Sequence, residues 1–222
     1  MKTKDPVNQD LIEHEMNSGY EKLGLMNSKV WSEDPKRLIF TLSRYKFVSK
    51  MFNGIDSVLE IGCGDGFGSK IVNQTVKNLT ISDYDPLFIK RFNEDLNTNS
   101  DIKAVTHDFL EKEFSESFDA IYSLDVLEHI HPEKEHLFIS NCVKSLEKDG
   151  ALIFGMPSLE SQLYASPASK EGHVNCKSGN DFKECMEKYF KNVFLFSMND
   201  EVIHTGFEKM SHYLFTLCVG KI

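Results

Sequence analysis

Several features that would direct this chain of 222 residues to a membrane or to an oxidising compartment are missing from its sequence. No run of about 18 apolar residues occurs, so no membrane span is expected. The first residues, Met1 to Pro6, contain no apolar signal core. The five cysteines are scattered and lack Cys-x-x-Cys spacing, which is typical of reduced thiols. We therefore expect a cytoplasmic protein.

Positive charge is also in short supply. The chain has 25 Lys and Arg residues against 34 Asp and Glu residues, which gives a formal net charge of −9. Because nucleic-acid binding usually needs a basic surface, no nucleic acid is expected as a partner. A Gly-Lys-Ser or Gly-Lys-Thr triplet is absent as well, so the phosphate-cradling chemistry of P-loop NTPases is not supported.

Internal repeats, low-complexity tracts and long flexible linkers are absent too. The apolar share of 41% and the charged share of 27% are ordinary for a globular protein. The length suits one α/β domain with a substantial core. These properties leave the oligomeric state open.

The most informative feature that is present is a glycine-rich segment. A short apolar run, Val58 to Ile61, reads as a buried strand and is followed by glycines at positions 62, 64, 66 and 68. A strand, a glycine turn and a helix start direct backbone N–H groups at a ligand. Glycine is required there because a Cβ atom blocks close backbone approach and disfavours positive φ. Glu60 lies inside this strand, where a purely structural strand would favour an aliphatic residue.

Apolar runs alternate with helix-like stretches along the chain, which is typical of a parallel sheet with helices on both faces. The spacing predicts helices over Pro35 to Phe52, from Pro86 to Leu96, and from Pro132 to Leu146, with Gly150 just beyond the last. The predicted strands are Ser57–Ile61, Asn78–Asp83, Ile102–Thr106, Phe118–Ser123, Ala151–Met156, Val193–Ser197 and Tyr213–Val219.

The segment Val58-Leu-Glu-Ile-Gly-Cys-Gly-Asp-Gly66 resembles motif I of the class I S-adenosylmethionine-dependent methyltransferases. Asp83 falls at the position of that family's ribose-binding acid, and the segments from Phe118 to Ile130 and from Leu146 to Phe154 resemble its fourth- and fifth-strand motifs. The resemblance covers about residues 55–156 in the family's order and spacing. A dehydrogenase is the structural alternative, but Glu60 and the Leu-Glu-His segment favour the methyltransferase.

The resemblance implies a Rossmann-like, seven-stranded, mostly parallel sheet whose last strand is antiparallel and lies beside the sixth. It also implies that S-adenosylmethionine is the cofactor, with Asp83 binding the ribose and Asp108 binding the adenine amino group. An N-cap is the structural alternative for Asp108, and small-residue packing is favoured over a nucleophile for Cys63. The residues predicted to bind the cofactor are Glu60, Gly62, Cys63, Gly64, Gly66, Asp83, Tyr84, Asp108, Phe109, Ser123 and Leu124.

Two carboxylates and an imidazole follow the fourth strand. If this segment is helical, Asp125, Glu128 and His129 share one face. One interpretation makes His129 a general base oriented by Glu128, with His173 as a further catalytic residue. The other, which some family members suggest, makes Asp125, Glu128, His129 and His173 ligands of Mg²⁺ or Mn²⁺ that lowers the pKa of an acceptor hydroxyl. Those members usually have Glu where this chain has Asp125. A structural role for the segment is also open.

The predicted acceptor is a polar small molecule. Residues 158–180, with Tyr164, His173 and Asn175, follow the fifth strand and are expected to form a substrate-facing loop. We expect residues 1–54 to form a helical lid on the methyltransferase domain, residues 55–222. Its predicted helix has an apolar face (Leu38, Ile39, Leu42 and Tyr45) and five cations (Lys36, Arg37, Arg44, Lys46 and Lys50), which either face solvent or meet an anionic substrate such as a sugar nucleotide.

The predicted function is methyl transfer to oxygen on a sugar or glycan precursor. The C-terminal segments Asn199 to Phe207 and Met210 to Phe215 resemble bacterial methyltransferases found with surface-polysaccharide synthesis. An N-methyltransferase and a quinone- or phenol-type O-methyltransferase are the alternatives within the class. A non-catalytic, cofactor-binding partner subunit is the alternative of a different class.

Overall fold

The computed structural model describes residues 2–95 and 101–222. Its α-helices are α1 (Gln9–Ser18), α2 (Gly24–Glu33), α3 (Pro35–Met51), α4 (Ser69–Asn73), α5 (Pro86–Asp95), α6 (Pro132–Lys144), α7 (Pro167–Gly172) and α8 (Gly179–Glu187). Its strands are β1 (Ser57–Ile61), β2 (Asn78–Asp83), β3 (Lys103–Thr106), β4 (Phe118–Leu124), β5 (Leu146–Pro157), β6 (Phe190–Asn199), β7 (Val202–His204) and β8 (Tyr213–Lys221). Short 3₁₀ turns lie at Pro6–Asn8, Leu127–His129, Glu160–Tyr164 and Glu208–Met210.

All eight strands described form one sheet in the order β3-β2-β1-β4-β5-β8-β6-β7. Strands β1 to β5 pair in parallel, and β8 is inserted antiparallel between β5 and β6. The predicted α/β class, the mostly parallel sheet and the position of the last strand are confirmed. The count of seven strands is wrong by one, because β6 turns at Asp200 (φ 48°) into the three-residue strand β7. Three residues are too few to show an alternation in sequence.

The core lies on both faces of the sheet. Leu59 and Ile121 belong to the cluster that packs with α6 and α8. Val58 and Tyr122 belong to the cluster on the other face, which includes side chains from α3, α4 and α5. Neighbouring residues of one strand therefore enter different clusters, as the alternation of side chains along a strand requires. Burial on both faces explains why β1 and β4 are mostly apolar and do not alternate strictly between apolar and polar residues.

Two predicted helices differ in detail from the structure. Helix α6 ends at Lys144 instead of Leu146, because Leu146 pairs with Phe118 and begins β5. On α3, Ile39 is 54% exposed, so its place in the predicted apolar face is wrong. The face that α3 buries includes Phe47 and Val48, which share a core cluster with β1. Leu96, the predicted end of the helix after Pro86, lies outside the described residues.

The substrate-facing segment is more regular than predicted. Residues 158–180 contain the 3₁₀ turn Glu160–Tyr164 and α7, and α8 begins at Gly179. The prediction of a long loop is therefore wrong, although the segment does follow the carboxyl end of β5. Ser166 caps α7 by accepting from the Ser169 N–H group, a local signal that marks the helix start. In the part of the chain that the structure describes, no helix has the length and apolar character needed to cross a membrane.

Candidate active site

The glycine segment forms the tight turn between β1 and α4. Gly62, Gly64 and Gly66 all have positive φ, of 77°, 54° and 68°. The Gly62 N–H group donates to the Ser82 carbonyl oxygen (2.8 Å), which ties the turn to the end of β2. A Cβ atom at Gly62 would lie 2.2 Å from Cγ2 of Val126, so a larger residue could not occupy this position. The positive φ angles that the glycine pattern predicts are therefore present in the structure.

The acids at the ends of β2 and β3 occupy the carboxyl edge of the sheet. The buried Asp83 carboxylate accepts from the N–H groups of Gly64 and Asp85, each at 2.9 Å. Because each carboxylate oxygen can accept more than one hydrogen bond, Asp83 can hold the glycine turn and still accept from a ligand. Asp108 follows β3, and its Oδ1 accepts from the N–H group of Leu110 (2.7 Å). This local bond belongs to a turn over residues 109–111, so the N-cap that the sequence offered as the alternative for Asp108 is wrong because no helix follows it.

Four other residues predicted to bind the cofactor differ in exposure. Tyr84 is 74% exposed at the sheet edge, whereas Phe109 is buried with its ring centroid 6.3 Å from that of Phe138. Ser123 donates its hydroxyl to the carbonyl at the end of β1 (2.9 Å), and Leu124 is buried. Of the four, only Tyr84 offers an exposed ring to a ligand in this conformation.

Glu60 faces the protein interior behind the glycine turn. Its carboxylate accepts from the hydroxyls of Ser69 (2.5 Å), Tyr122 (2.7 Å) and Tyr45 (3.1 Å). Burial raises the pKa of Glu60 to about 7, although the hydroxyls acting as donors oppose that shift. Glu60 therefore joins β1 to α3, α4 and β4, and direct contact with a cofactor stays a prediction. Cys63 is buried, and this raises the pKa of its thiol, which supports packing rather than nucleophilic chemistry.

The segment after β4 is not the helix that was predicted. Asp125 has φ of 58°, and only Leu127–His129 forms a 3₁₀ turn. Asp125 therefore does not share a helical face with Glu128 and His129. Its two carboxylate oxygens instead accept from Nη1 of Arg44, at 2.8 and 2.6 Å. The prediction of one helical face is wrong because this long-range ion pair fixes Asp125 in a left-handed conformation.

Arg44 is a site residue whose position the sequence did not reveal. It is 8% exposed, and its guanidinium carbon lies 3.8 Å from the ring centroid of Tyr213. That distance allows a cation–π interaction in addition to the ion pair with Asp125. The sequence did contain a signal for the burial of Arg44. Phe47 and Val48, three and four positions after it, mark the buried face of α3.

The structure does bring together Glu128, His129 and His173. One ligating atom from each lies within 4.8 Å of those of the other two. His129 Nδ1 lies 2.9 Å from the Gly172 carbonyl oxygen, which can only accept, so Nδ1 is the donor. The neutral His129 ring therefore carries its lone pair on Nε2, the nitrogen that a base or a ligand would use.

His173 is oriented by a glutamine that the sequence analysis missed. Its Nδ1 lies 2.8 Å from Oε1 of Gln162, whose Nε2 donates to the Ser158 carbonyl (3.2 Å). Because the amide nitrogen is committed to that carbonyl, the amide oxygen accepts from His173. The lone pair of neutral His173 is thus also on Nε2. Partial burial, followed by the neighbouring His129, lowers the pKa of His173 and favours this neutral form.

Glu128 is 1% exposed, and its Oε2 has no hydrogen-bond partner among the described residues. Burial and the charge of Asp125 raise the pKa of this carboxyl well above its usual value. Its backbone carbonyl accepts from the N–H groups of Val174 (2.8 Å) and Asn175 (3.0 Å), which anchors the segment that carries His173. An unpaired buried carboxyl oxygen beside two histidines indicates a place where a ligand supplies the missing partner.

The residues fit the predicted divalent cation only in part. Glu128, His129 and His173 offer three ligands at suitable separations. Asp125, the fourth predicted ligand, has both oxygens bound by Arg44. Mg²⁺ favours oxygen ligands in octahedral geometry, so a set of two imidazoles and one carboxylate suits it poorly. The cation stays a prediction.

Comparison with known proteins agrees with the fold. Residues 59–154 match the family model described as a methyltransferase domain. The predicted recognition of a class I S-adenosylmethionine-dependent methyltransferase domain is confirmed over these residues.

Three relatives within this class are informative. The chain is 31% identical over 138 residues to nodulation protein S of Bradyrhizobium diazoefficiens, covering 59% of this chain and 66% of that protein. It is 33% identical over 103 residues to a phosphoethanolamine N-methyltransferase of Plasmodium falciparum, covering 46% and 39%. The matches thus span less than two thirds of either relative. The structure of the N-methyltransferase NodS from Bradyrhizobium japonicum with S-adenosyl-L-homocysteine matches with a TM-score of 0.65 and 19% identity, over 97% of this chain and 99% of that one.

Proposed function

We propose that this protein transfers a methyl group from S-adenosylmethionine to an amine nitrogen of a polar small molecule. The observation that carries the proposal is the buried Glu128 carboxyl, whose Oε2 has no partner among the described residues, beside His129 and His173. Two of the proteins that this chain is similar to, one matched in sequence and one in structure, are named N-methyltransferases. The prediction of O-methylation thus becomes the second candidate.

The cofactor, when bound, supplies an electrophilic methyl group. The residues that would hold it are those at the carboxyl ends of β1, β2 and β3: the glycine turn, Asp83 and Asp108. The glycine turn suits this role because positive φ at Gly62, Gly64 and Gly66 gives it the strand–turn–helix geometry that brings the backbone close to a ligand. Asp83 would accept from the ribose hydroxyls and Asp108 from the adenine amino group.

The acceptor side of the site suits an amine for reasons of proton balance. A protonated amine must lose one proton before its nitrogen has a lone pair that can attack a methyl group. An alkylammonium has a pKa of about 10.4, whereas that of water, and roughly that of an alcohol, is about 15.7. His129 Nε2 can take the first proton far more readily than the second. We assign His129 as the base, Gly172 as the group that orients it, and His173 as a second acceptor of protons or hydrogen bonds.

Charge balance favours the same acceptor. When a neutral amine attacks the methyl group, the positive charge of the sulfonium passes to the amine nitrogen. A fixed carboxylate beside that nitrogen stabilises the developing charge. Asp125 is such a group and is held by Arg44, whereas Glu128, whose raised pKa favours the neutral form, contributes hydrogen bonding only. O-methylation of a sugar or glycan precursor gains from one observation only, the three-ligand group that could hold a cation to activate a hydroxyl.

The N-terminal segment completes the proposal as a cover over the cofactor side. Asn27 of α2 donates through its backbone N–H (2.8 Å) and its side-chain amide (2.6 Å) to the Asp65 carboxylate of the glycine turn. Met26 lies against Gly64, where a Cβ atom would meet its sulfur at 2.7 Å. These contacts support residues 1–54 as the predicted lid on residues 55–222.

The test is methyl transfer to matched acceptors, followed by mass spectrometry. Glucosamine and N-acetylglucosamine differ in whether the nitrogen is free, and ethanolamine and ethylene glycol differ in whether it is present. We expect only the free amines to gain a methyl group. Methylation of the hydroxyl compounds alone would replace this proposal with O-methylation. If S-adenosylhomocysteine binds in calorimetry but no compound in a broad panel is methylated, the non-catalytic partner subunit becomes the better interpretation.

A further inference from the structure

Helix α3 presents one polar stripe to the candidate acceptor site. Arg44 marks the stripe, because it reaches Asp125 on the opposite side of the site. Thr41 and Arg37 lie three and seven positions earlier, so they project from the same side of the helix. Arg37 is therefore about 10 Å from Arg44 along the helix axis, toward the N-terminal end.

Arg37 differs from Lys46, another exposed cation of α3, in the side of the helix on which it lies. The Arg37 side chain is exposed, and among residues 2–95 and 101–222 it has no ion-pair or hydrogen-bond partner. Arg44 is already paired with Asp125. The exposed Lys46 projects about 200° around the helix from Arg44. The charge of Arg37 also acts on His173: it is the last of the causes of the lowered pKa of that ring, after burial, His129 and the opposing Asp125.

The site therefore has two chemically different ends. Asp125 and Glu128 form an acidic end beside the histidines. Arg37 forms a basic end at the rim, with a guanidinium that has no partner among the residues that the structure describes. Guanidinium groups bind phosphate and carboxylate oxygens in a bidentate geometry. In a chain with a net charge of −9, an unpaired arginine at the rim of a site is a specific feature rather than part of a general basic surface.

We propose that Arg37 binds an anionic group of the acceptor, so that the acceptor is an amine that also carries a phosphate or a carboxylate. This inference rests on the proposed N-methyltransferase function, because it is the amine that the acidic end would hold. The anionic group would orient the molecule so that its amino group points to His129. Arg37 is then a specificity-determining residue that acts on binding rather than on the methyl-transfer step.

The experiment compares acceptor pairs that differ only by the anion: phosphoethanolamine and ethanolamine, glucosamine 6-phosphate and glucosamine, 4-aminobutyrate and butylamine. The phosphate and carboxylate pairs distinguish the two sources of charge. We expect the protein to favour the anionic member of at least one pair. In Arg37→Gln, KM for that member should rise about 10- to 100-fold with kcat little changed and with the neutral member unaffected. Arg37→Lys should recover part of the loss.

Lys46→Gln is the matched control, because it removes one positive charge from the opposite side of the same helix. It should behave like the unmodified protein, which excludes a general effect of net charge. Equal turnover of both members of every pair, or equal effects of the Arg37 and Lys46 substitutions, would overturn the inference.

Calorimetry on the protein saturated with S-adenosylhomocysteine separates this inference from the proposed function. Binding of an anionic amine that is lost in Arg37→Gln, without methylation in the turnover assay, would retain the subsite and reject N-methylation. Methylation of neutral amines without any Arg37-dependent binding would retain N-methylation and reject the subsite. If none of the three anionic probes binds, the subsite is rejected.

Discussion

The Arg44 guanidinium and the Asp125 carboxylate are joined by two hydrogen bonds, of 2.6 and 2.8 Å, across 81 positions of sequence. This pair connects α3 of the N-terminal segment to the loop that carries Glu128 and His129. The stacking of Arg44 on Tyr213 adds the C-terminal strand to the same cluster. The N-terminal segment, the loop after β4 and the C-terminal strand therefore share one polar junction, which makes the junction a sensitive place for substitution.

Removing either partner of this pair should destabilise the fold. The Arg44 side chain is 10% exposed and that of Asp125 36%, so the pair is intermediate between a buried and a surface ion pair. We expect Arg44→Ala and Asp125→Asn each to lower the free energy of unfolding by about 2 kcal/mol. Urea denaturation of both variants and of the double variant measures the coupling.

The control for this pair is Lys29→Ala, which breaks the exposed pair with Glu33 (3.9 Å). It should change the free energy of unfolding by less than about 0.5 kcal/mol. If the effects of Arg44→Ala and Asp125→Asn simply add in the double variant, the two residues are not coupled and their contact is not a stabilising one.

Stability should depend on pH through Glu60. Burial raises the pKa of this carboxyl from 4.5 to about 7 in the folded protein. The folded state thus holds its proton to higher pH than the unfolded state does. The stabilisation is fully present below pH 4.5 and is lost as pH rises through about 7, a change of about 3 kcal/mol.

Glu60→Gln tests this dependence because the amide does not ionise. The variant should gain about 3 kcal/mol relative to the unmodified protein when unfolding is measured at about pH 8 instead of about pH 5. Taking the difference between the two proteins cancels the titration of all other groups. Parallel stability curves over this range would show that Glu60 keeps an ordinary pKa in the folded protein.

Local sequence patterns were sufficient to predict the part of the fold that is expected to hold the cofactor. The glycines of the first turn, and Asp83 at the end of β2, lie where strand–turn–helix geometry requires them. The acceptor site depends on contacts between distant segments, which local patterns do not contain. The ion pair between Asp125 and Arg44 is one example, and the hydrogen bond that orients His173 on Gln162 is another.

His129 should carry the proton transfer. His129→Ala removes the Nε2 lone pair that Gly172 orients, and we expect kcat to fall about 100- to 10,000-fold, the usual range for a general base. The dissociation constant of S-adenosylhomocysteine should stay unchanged, since the predicted cofactor residues lie elsewhere. Steady-state kinetics and calorimetry on the same preparation measure the two effects. Undiminished turnover would remove His129 from the mechanism.

Asp83 should determine cofactor affinity. Its carboxylate both holds the Gly64 N–H group and is predicted to accept from ribose, so Asp83→Ala loses two kinds of interaction. Each bond to a charged group contributes about 1.5–3 kcal/mol, which predicts a rise of at least about tenfold in the dissociation constant of S-adenosylhomocysteine. Asp56→Asn, on an exposed carboxylate paired with Lys77, is the control and should leave that affinity unchanged. Equal affinities in both variants would contradict the ribose-binding role.

The dependence on metal decides between the two chemistries at the acceptor site. Because Arg44 occupies both oxygens of Asp125, only Glu128, His129 and His173 are left to bind a cation. A histidine base acting on an amine needs no Lewis acid. We therefore expect treatment with EDTA, and later addition of Mg²⁺ or Mn²⁺, to leave the rate of methyl transfer unchanged. A rate that is lost with EDTA and restored by Mn²⁺, but not in His173→Ala, would establish the three-ligand site and shift the assignment to methylation of a hydroxyl.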